Sequence, residues 1–93
     1  MVAFSYILTN KRGGTLYVGS TTDIHRRLDE HRSKAVPSFT RTYNLVRLVH
    51  LEHFSLLIEA RHRERQLKAW RREWKIALIE RTNPDWNDLA HFL

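Results

Sequence analysis

The stretch TLYVGSTTDIHRRLDEHR, residues 15–32, begins as a strand and ends as a basic helix. Its first half carries Tyr17 and Val18, then Gly19, a residue that weakens a strand unless something must approach the bare backbone. Its second half spaces Ile24 and Leu28 four apart, an apolar stripe, and puts Arg27 and His31 on one helical face. Thr21 or Thr22 stands where a helix cap belongs.

The neighbouring segments extend this pattern. Residues 2–9 read as a strand, and Asn10, Lys11, Arg12 and Gly13 as its turn. Residues 14–19 form the second strand and residues 33–44 a polar loop containing Pro37. Residues 45–53, rich in Val and Leu, form a third strand. Residues 56–81 read as one long helical stretch, broken near Trp74 and ended by Asn83-Pro84, because proline cannot continue a helix. Residues 85–93 read as a tail. The expected fold class is α/β: a small β-β-α-β-α-(α) sandwich, with a three-stranded, mostly antiparallel sheet flanked by helices.

Ninety-three residues suit one domain, spanning 1–93. A hydrophobic content of 42% with 11% aromatics supports a packed core. With no cysteine, disulfides and thiolate metal sites are excluded, and a reducing, cytoplasmic location is the expectation. The opening MVAFSYIL has no basic leader, and no apolar run approaches the roughly 20 residues of a membrane span. The net charge of +6 favours nucleic acid as partner, with an acidic membrane surface or acidic protein as the alternative.

A four-residue hairpin loop at 10–13 would set Thr9 opposite Gly14 and Tyr6 opposite Tyr17. Opposed residues share a face with Cβ atoms about 4.5–5.5 Å apart, so the two phenols converge. Such a pair either packs or supplies chemistry. Arg27 and His31 are either a solvated basic face, with Asp23 pairing Arg27, or a cationic site. On the long helix, Leu57, Ala60, Glu64, Leu67, Arg71 and Trp74 follow a core-facing stripe with two charged members. A carboxylate there needs a partner, Lys68 or Arg71, or a hard cation such as Mg²⁺. Tyr6, Tyr17, Arg27, His31 and Glu64 together match the needs of phosphodiester hydrolysis: a proton acceptor for water, a cation for the phosphorane charge, and help for the leaving oxygen.

The ordered set resembles the GIY-YIG nuclease superfamily, in its short stand-alone bacterial branch. FSY at 4–6 stands for the GIY element and YVG at 17–19 for YIG. DIHRRLDEH at 23–31 resembles the helix bearing the family arginine, here Arg27. RERQLKAWRREWKIALIE at 63–80 resembles the segment bearing the metal-binding glutamate, here Glu64. NPDWN at 83–87 resembles the terminal element whose asparagine stabilises the site, best placed on Asn87, with Asn83 competing. Phe4 and Ser5 replace the Gly and Ile of the first element, and Ser20 stands where some members carry lysine.

The resemblance, which extends to the catalytic domains of excision-repair and homing endonucleases, implies a Mg²⁺- or Mn²⁺-dependent DNA endonuclease with a one-metal mechanism. Glu64 would hold the metal, Arg27 the phosphate, Tyr17 or Tyr6 the attacking water, and His31 would relay a proton. Arg26, Arg32, Lys34, Arg41 and Arg47 would contact DNA phosphates outside this set. The alternatives are a catalytically weak nucleic-acid-binding module of the same fold, or a protein-interaction domain using Trp70, Trp74 and the basic helix. Trp70, Trp74 and Trp86 are expected to pack rather than to stack on bases.

Overall fold

Every residue but one of the first strand is buried, because it lies mid-sheet with helices on both faces. In the computed structural model, which describes residues 2–33 and 43–93, this strand is β1, Ala3–Thr9. It pairs antiparallel with β2, Leu16–Thr21, on one side and with β3, Arg47–Phe54, on the other. Phe4, Tyr6 and Leu8 point to one face, and Ser5, Ile7 and Thr9 to the other. Residues 34–42 lie outside the described residues, and with them the expectations at Pro37, Lys34 and Arg41.

The hairpin loop is six residues long, not four. Asn10 Oδ1 accepts the Thr15 N–H at 3.1 Å, and Gly13 takes φ +69°, a left-handed conformation open to glycine. The register is therefore Thr9 with Leu16, Leu8 with Tyr17 and Tyr6 with Gly19, not Tyr6 with Tyr17. The slip is two residues, an even number, so no side chain changes face. Between Ile7 and Leu8 the pairing with β3 also shifts: Ile7 faces His50 while Leu8 faces Leu48. The extra residue, Val49, is buried in the cluster with Ile7.

Helix α1, Ile24–Ser33, lays Ile24 and Leu28 against Tyr6, Leu8, Leu45 and Leu48. Asp23 caps it, its Oδ1 accepting the Arg26 N–H at 3.1 Å. Thr21, expected as a cap, instead accepts the Asp23 N–H at 3.0 Å and sets the turn before it.

The opposite face is covered by α2, Leu57–Ala69, and α3, Arg72–Thr82, whose Leu67 and Ile79 pack with Ile7, Val18, Val49 and Trp86. The long helical stretch breaks at Trp70 and Arg71, both extended with ψ near 150°, rather than at Trp74. No glycine or proline marks this break. Arg72 holds the new direction by donating to the Gly13 and Gly14 carbonyls at 2.7 and 2.6 Å. The stripe expected from Leu57 to Trp74 consequently fails in its last two members, and Arg71 and Trp74 are exposed.

α3 ends at Thr82, as Asn83-Pro84 requires. The segment beyond is no loose tail. Trp86 is 1% exposed, and a short 3-10 helix, Leu89–Phe92, sets Leu89 and Ala90 against the α1-side core. Among the described residues, no helix is long and apolar enough to cross a membrane.

Candidate active site

Gly19 explains the tyrosines. A Cβ on Gly19 would stand 2.5 Å from the Tyr6 hydroxyl oxygen and 2.6 Å from Tyr6 Cζ, with Tyr17 Cε1 at 3.1 Å. The bare backbone noted in the sequence is thus filled by the protein's own phenol, which lies flat across the edge strand. Tyr17, two residues along β2 from the Tyr6 partner Gly19 and so on the same face, brings its ring centroid to 6.4 Å from that of Tyr6. His31 from α1 meets both rings near edge-on, at 6.2 Å from Tyr6 and 5.7 Å from Tyr17. Its Nε2 is 3.4 Å from the Tyr6 hydroxyl.

Burial governs this cluster. It raises the Tyr6 pKa, the Tyr17 phenol adds to the rise, and the Arg27 charge opposes it. Tyr6 is therefore a neutral phenol at ordinary pH and unsuited to act as a phenolate base. Burial, then the Arg27 charge, lowers the His31 pKa, leaving a neutral imidazole able to accept a proton. Arg27 sits one helical turn before His31, half-buried. Among the described residues there is no Asp23–Arg27 ion pair: Asp23 caps the helix, and Arg26 pairs with Glu30 at 3.3 Å. Arg27 opens onto a pocket of about 260 Å³ with Thr21, Thr22, Asp23, Arg26 and Glu30.

Glu64 reaches the same edge from α2, on the other face. It accepts the Ser20 hydroxyl and pairs with Lys68 Nζ at 2.6 Å. Burial pushes its pKa up, but Lys68 and Ser20 outweigh that and hold the carboxylate ionised. Its negative charge also acts on the Tyr6 phenol, so the two halves of the site lie within electrostatic reach across β2. Ser20 was visible in the sequence as a departure without a role. Strand alternation points it away from Tyr17 and Gly19, toward the helix that carries Glu64. Arg61, Arg65 and Lys68 surround Glu64 in a pocket of about 260 Å³. Of the two partners the sequence offered for this carboxylate, Lys68, four residues on, forms the pair and Arg71 does not. The sequence reading passed over Arg61 and Arg65.

Three further expected residues lie elsewhere in the fold. Asn87 is exposed and lines a separate pocket of about 920 Å³ with Arg32, Arg47 and Asp88. The structure does not bring it to Tyr6 or Glu64. The buried asparagine is Asn83, which donates to Val49 O at 3.2 Å and Asn87 O at 2.9 Å and accepts the Asn87 N–H at 3.0 Å. That bonding ties the end of α3 to β3, a structural role. Arg32 and Arg47, expected on DNA, are engaged within the fold: Arg32 pairs with Asp88 at 2.8 Å, and Arg47 donates to Trp86 O at 3.2 Å. Arg26 projects into solvent beside Glu30.

The model for the GIY-YIG catalytic domain matches residues 3–77, which include both tyrosines, Arg27, His31 and Glu64. The chain belongs to the GIY-YIG family. As a GIY-YIG protein it is 41% identical over 66 residues to a UPF0213 protein of Haloquadratum walsbyi, covering 71% of this chain and 74% of that one. A UPF0213 protein of Streptococcus pneumoniae is 36% identical over 90 residues, covering 97% and 89% respectively. The solution NMR structure of a UPF0213 protein from Bacillus halodurans superposes with a TM-score of 0.58 at 31% identity, over 95% of this chain and 93% of that chain. These short relatives place the chain among stand-alone members of a nuclease-type family, and the antiparallel order β2-β1-β3 with its flanking helices is the expected fold class.

Among the described residues, no group of three or more His, Asp or Glu is arranged to hold a metal ion. Glu64 offers an ionised hard oxygen at the edge of β2, across the strand from the tyrosines. That donor suits a cation such as Mg²⁺, which keeps most of its shell as water and substrate phosphate and takes one or two carboxylates from the protein.

Proposed function

We propose that this protein is a divalent-metal-dependent endonuclease that hydrolyses DNA phosphodiester bonds. The observation that carries the reading is the convergence, at one strand edge, of a neutral Tyr6–His31 pair, Tyr17, a half-buried Arg27 and an ionised Glu64. Glu64 would hold the cation. When bound, a Mg²⁺ or Mn²⁺ ion supplies Lewis-acid stabilisation to the phosphoryl oxygens and the leaving 3′ oxygen.

The chain's own residues carry the remaining roles. Arg27 offers a guanidinium fork to the non-bridging oxygens and offsets charge that builds as the water oxygen bonds to phosphorus. Tyr17 orients that water and takes its proton. His31, neutral and edge-on to Tyr17, accepts a proton in relay. Tyr6 is kept protonated by burial, so it positions His31 and does not act as the base. The P–O3′ bond breaks as the new P–O bond forms.

One observation favours a second reading, a weakly catalytic nucleic-acid-binding module. The Lys68 ammonium sits 2.6 Å from Glu64, where it competes with a metal. Plasmid nicking against Mg²⁺ concentration separates the two. The expected result is metal-dependent nicking that Glu64→Gln abolishes while the melting temperature holds. Nicking by Glu64→Gln at wild-type rate in saturating Mg²⁺ would refute the metal role, and an absence of nicking by the wild type would favour the binding module.

A further inference from the structure

Beyond the break after α2, the fold leaves a tryptophan outside both cores. Trp74 is 52% exposed, contrary to its expected place in the packed interior. Its ring meets that of Trp70 edge to face, with centroids 6.2 Å apart. The Arg71 guanidinium lies over Trp74 at 5.4 Å, and that of Arg63, the neighbour of Glu64, lies over Trp70 at 5.0 Å. A pair of touching indoles, each with a guanidinium over it, therefore runs from the residue beside Glu64 out to solvent. Alongside it, Lys68 and Arg65 line the Glu64 pocket.

This combination has a specific chemical match. An open indole face stacks any unpaired base, because every base presents a π-face, and the adjoining cations take the strand's phosphates. An intact duplex keeps its base faces inside the stack and has none to offer. A run of acidic side chains satisfies the cations but offers no planar ring to the indole. The chain's net charge of +6 supplies the complementary attraction.

We propose that Trp74 stacks an unpaired base of a single DNA strand whose flanking phosphates lie on Arg71 and Lys68. The substrate of the Glu64 site is then DNA with single-stranded nucleotides beside the scissile bond, such as a flap, a frayed end or a splayed junction. The placement of the scissile bond rests on the nuclease reading above, whereas the binding itself does not.

The test is a binding titration of the full chain in chelator, so that no cleavage enters, followed by tryptophan fluorescence. The probes are a short oligothymidylate, a blunt duplex and polyglutamate. Oligothymidylate is expected to quench the fluorescence. Trp74→Ala should bind it about 5- to 150-fold more weakly, the range for loss of one base–aromatic stack. Trp74→Phe, which keeps a ring, should retain most of the affinity. Trp74→Leu, which keeps an apolar cover without a π-face, should bind like Trp74→Ala. Duplex affinity should be the same in all four proteins. Oligothymidylate binding unchanged in Trp74→Ala would overturn the proposal. So would equal affinity in the Leu and Phe variants, an equal loss on duplex, or equal quenching by polyglutamate. Trp74-dependent binding without Mg²⁺-dependent nicking would refute the nuclease reading alone. Nicking without Trp74-dependent binding would refute the platform alone.

Discussion

Adding one methyl group to the edge strand should damage the site from within. In Gly19→Ala the new Cβ would meet the Tyr6 ring at 2.5 and 2.6 Å, well inside van der Waals contact. Tyr6 is 1% exposed and wedged between Gly19, Tyr17 and His31, so its ring has no free space into which to swing. Overpacking of this kind costs roughly 1–3 kcal/mol. Relief of glycine's backbone entropy in a strand returns about 0.5–1 kcal/mol. The central values leave a net loss of about 1 kcal/mol, which lowers the melting temperature of a chain this size by roughly 4–8 °C. Circular dichroism melts of the wild type, Gly19→Ala, Tyr6→Leu and the double variant form a thermodynamic cycle. Leucine lacks the atoms that clash, so in the Tyr6→Leu background Gly19→Ala should be neutral or stabilising. If Gly19→Ala melts at the wild-type temperature, or loses the same amount in both backgrounds, Tyr6 does not lie across Gly19.

Three further outcomes are expected. The Glu52 carboxyl is held down at about 2, first by its hydrogen bond from His50 and then by Arg63. Its folded pKa lies below its unfolded one, so the stabilisation is present above pH ~4.5 and is lost as pH falls toward 2. Urea midpoints measured across that window should fall for the wild type and stay flatter for Glu52→Gln, which begins lower at neutral pH. Asn83→Ala removes three hydrogen bonds of a buried side chain and should destabilise by about 2 kcal/mol or more, whereas Asn87→Ala on the surface should stay within about 0.5 kcal/mol. Equal thermal shifts for the two would contradict the structural role given to Asn83. Arg27→Lys keeps charge but loses the planar fork, and single-turnover cleavage should fall further than DNA affinity. Matching losses would reduce Arg27 to a binding contact.

Local pattern determined the strands, the first helix and the end of the last one. A short apolar run around Tyr6, an Ile24–Leu28 stripe and a proline stop after Asn83 report local preferences that the chain carries wherever it folds. The common face of Tyr6 and Tyr17 was equally legible, because side-chain direction in a strand depends on parity and an even slip preserves it. The register itself was not legible, because it depends on how the loop closes, and Asn10 closes it two residues later than turn propensity indicates. Tertiary packing alone decided the rest. The helix breaks at Trp70 because Arg72 reaches the hairpin carbonyls, a contact between segments far apart in sequence. That break turns Arg71 and Trp74 from an apparent core stripe into surface. Ser20 acquires a role only because α2 crosses the edge of β2 at Glu64. Asn83 rather than Asn87 is buried because Trp86 folds back onto the sheet, and Tyr6 stays a phenol because α1 seals it from water. A sequence lists which side chains can ionise or donate, but burial and neighbouring charge set their states, and those exist only in the folded molecule.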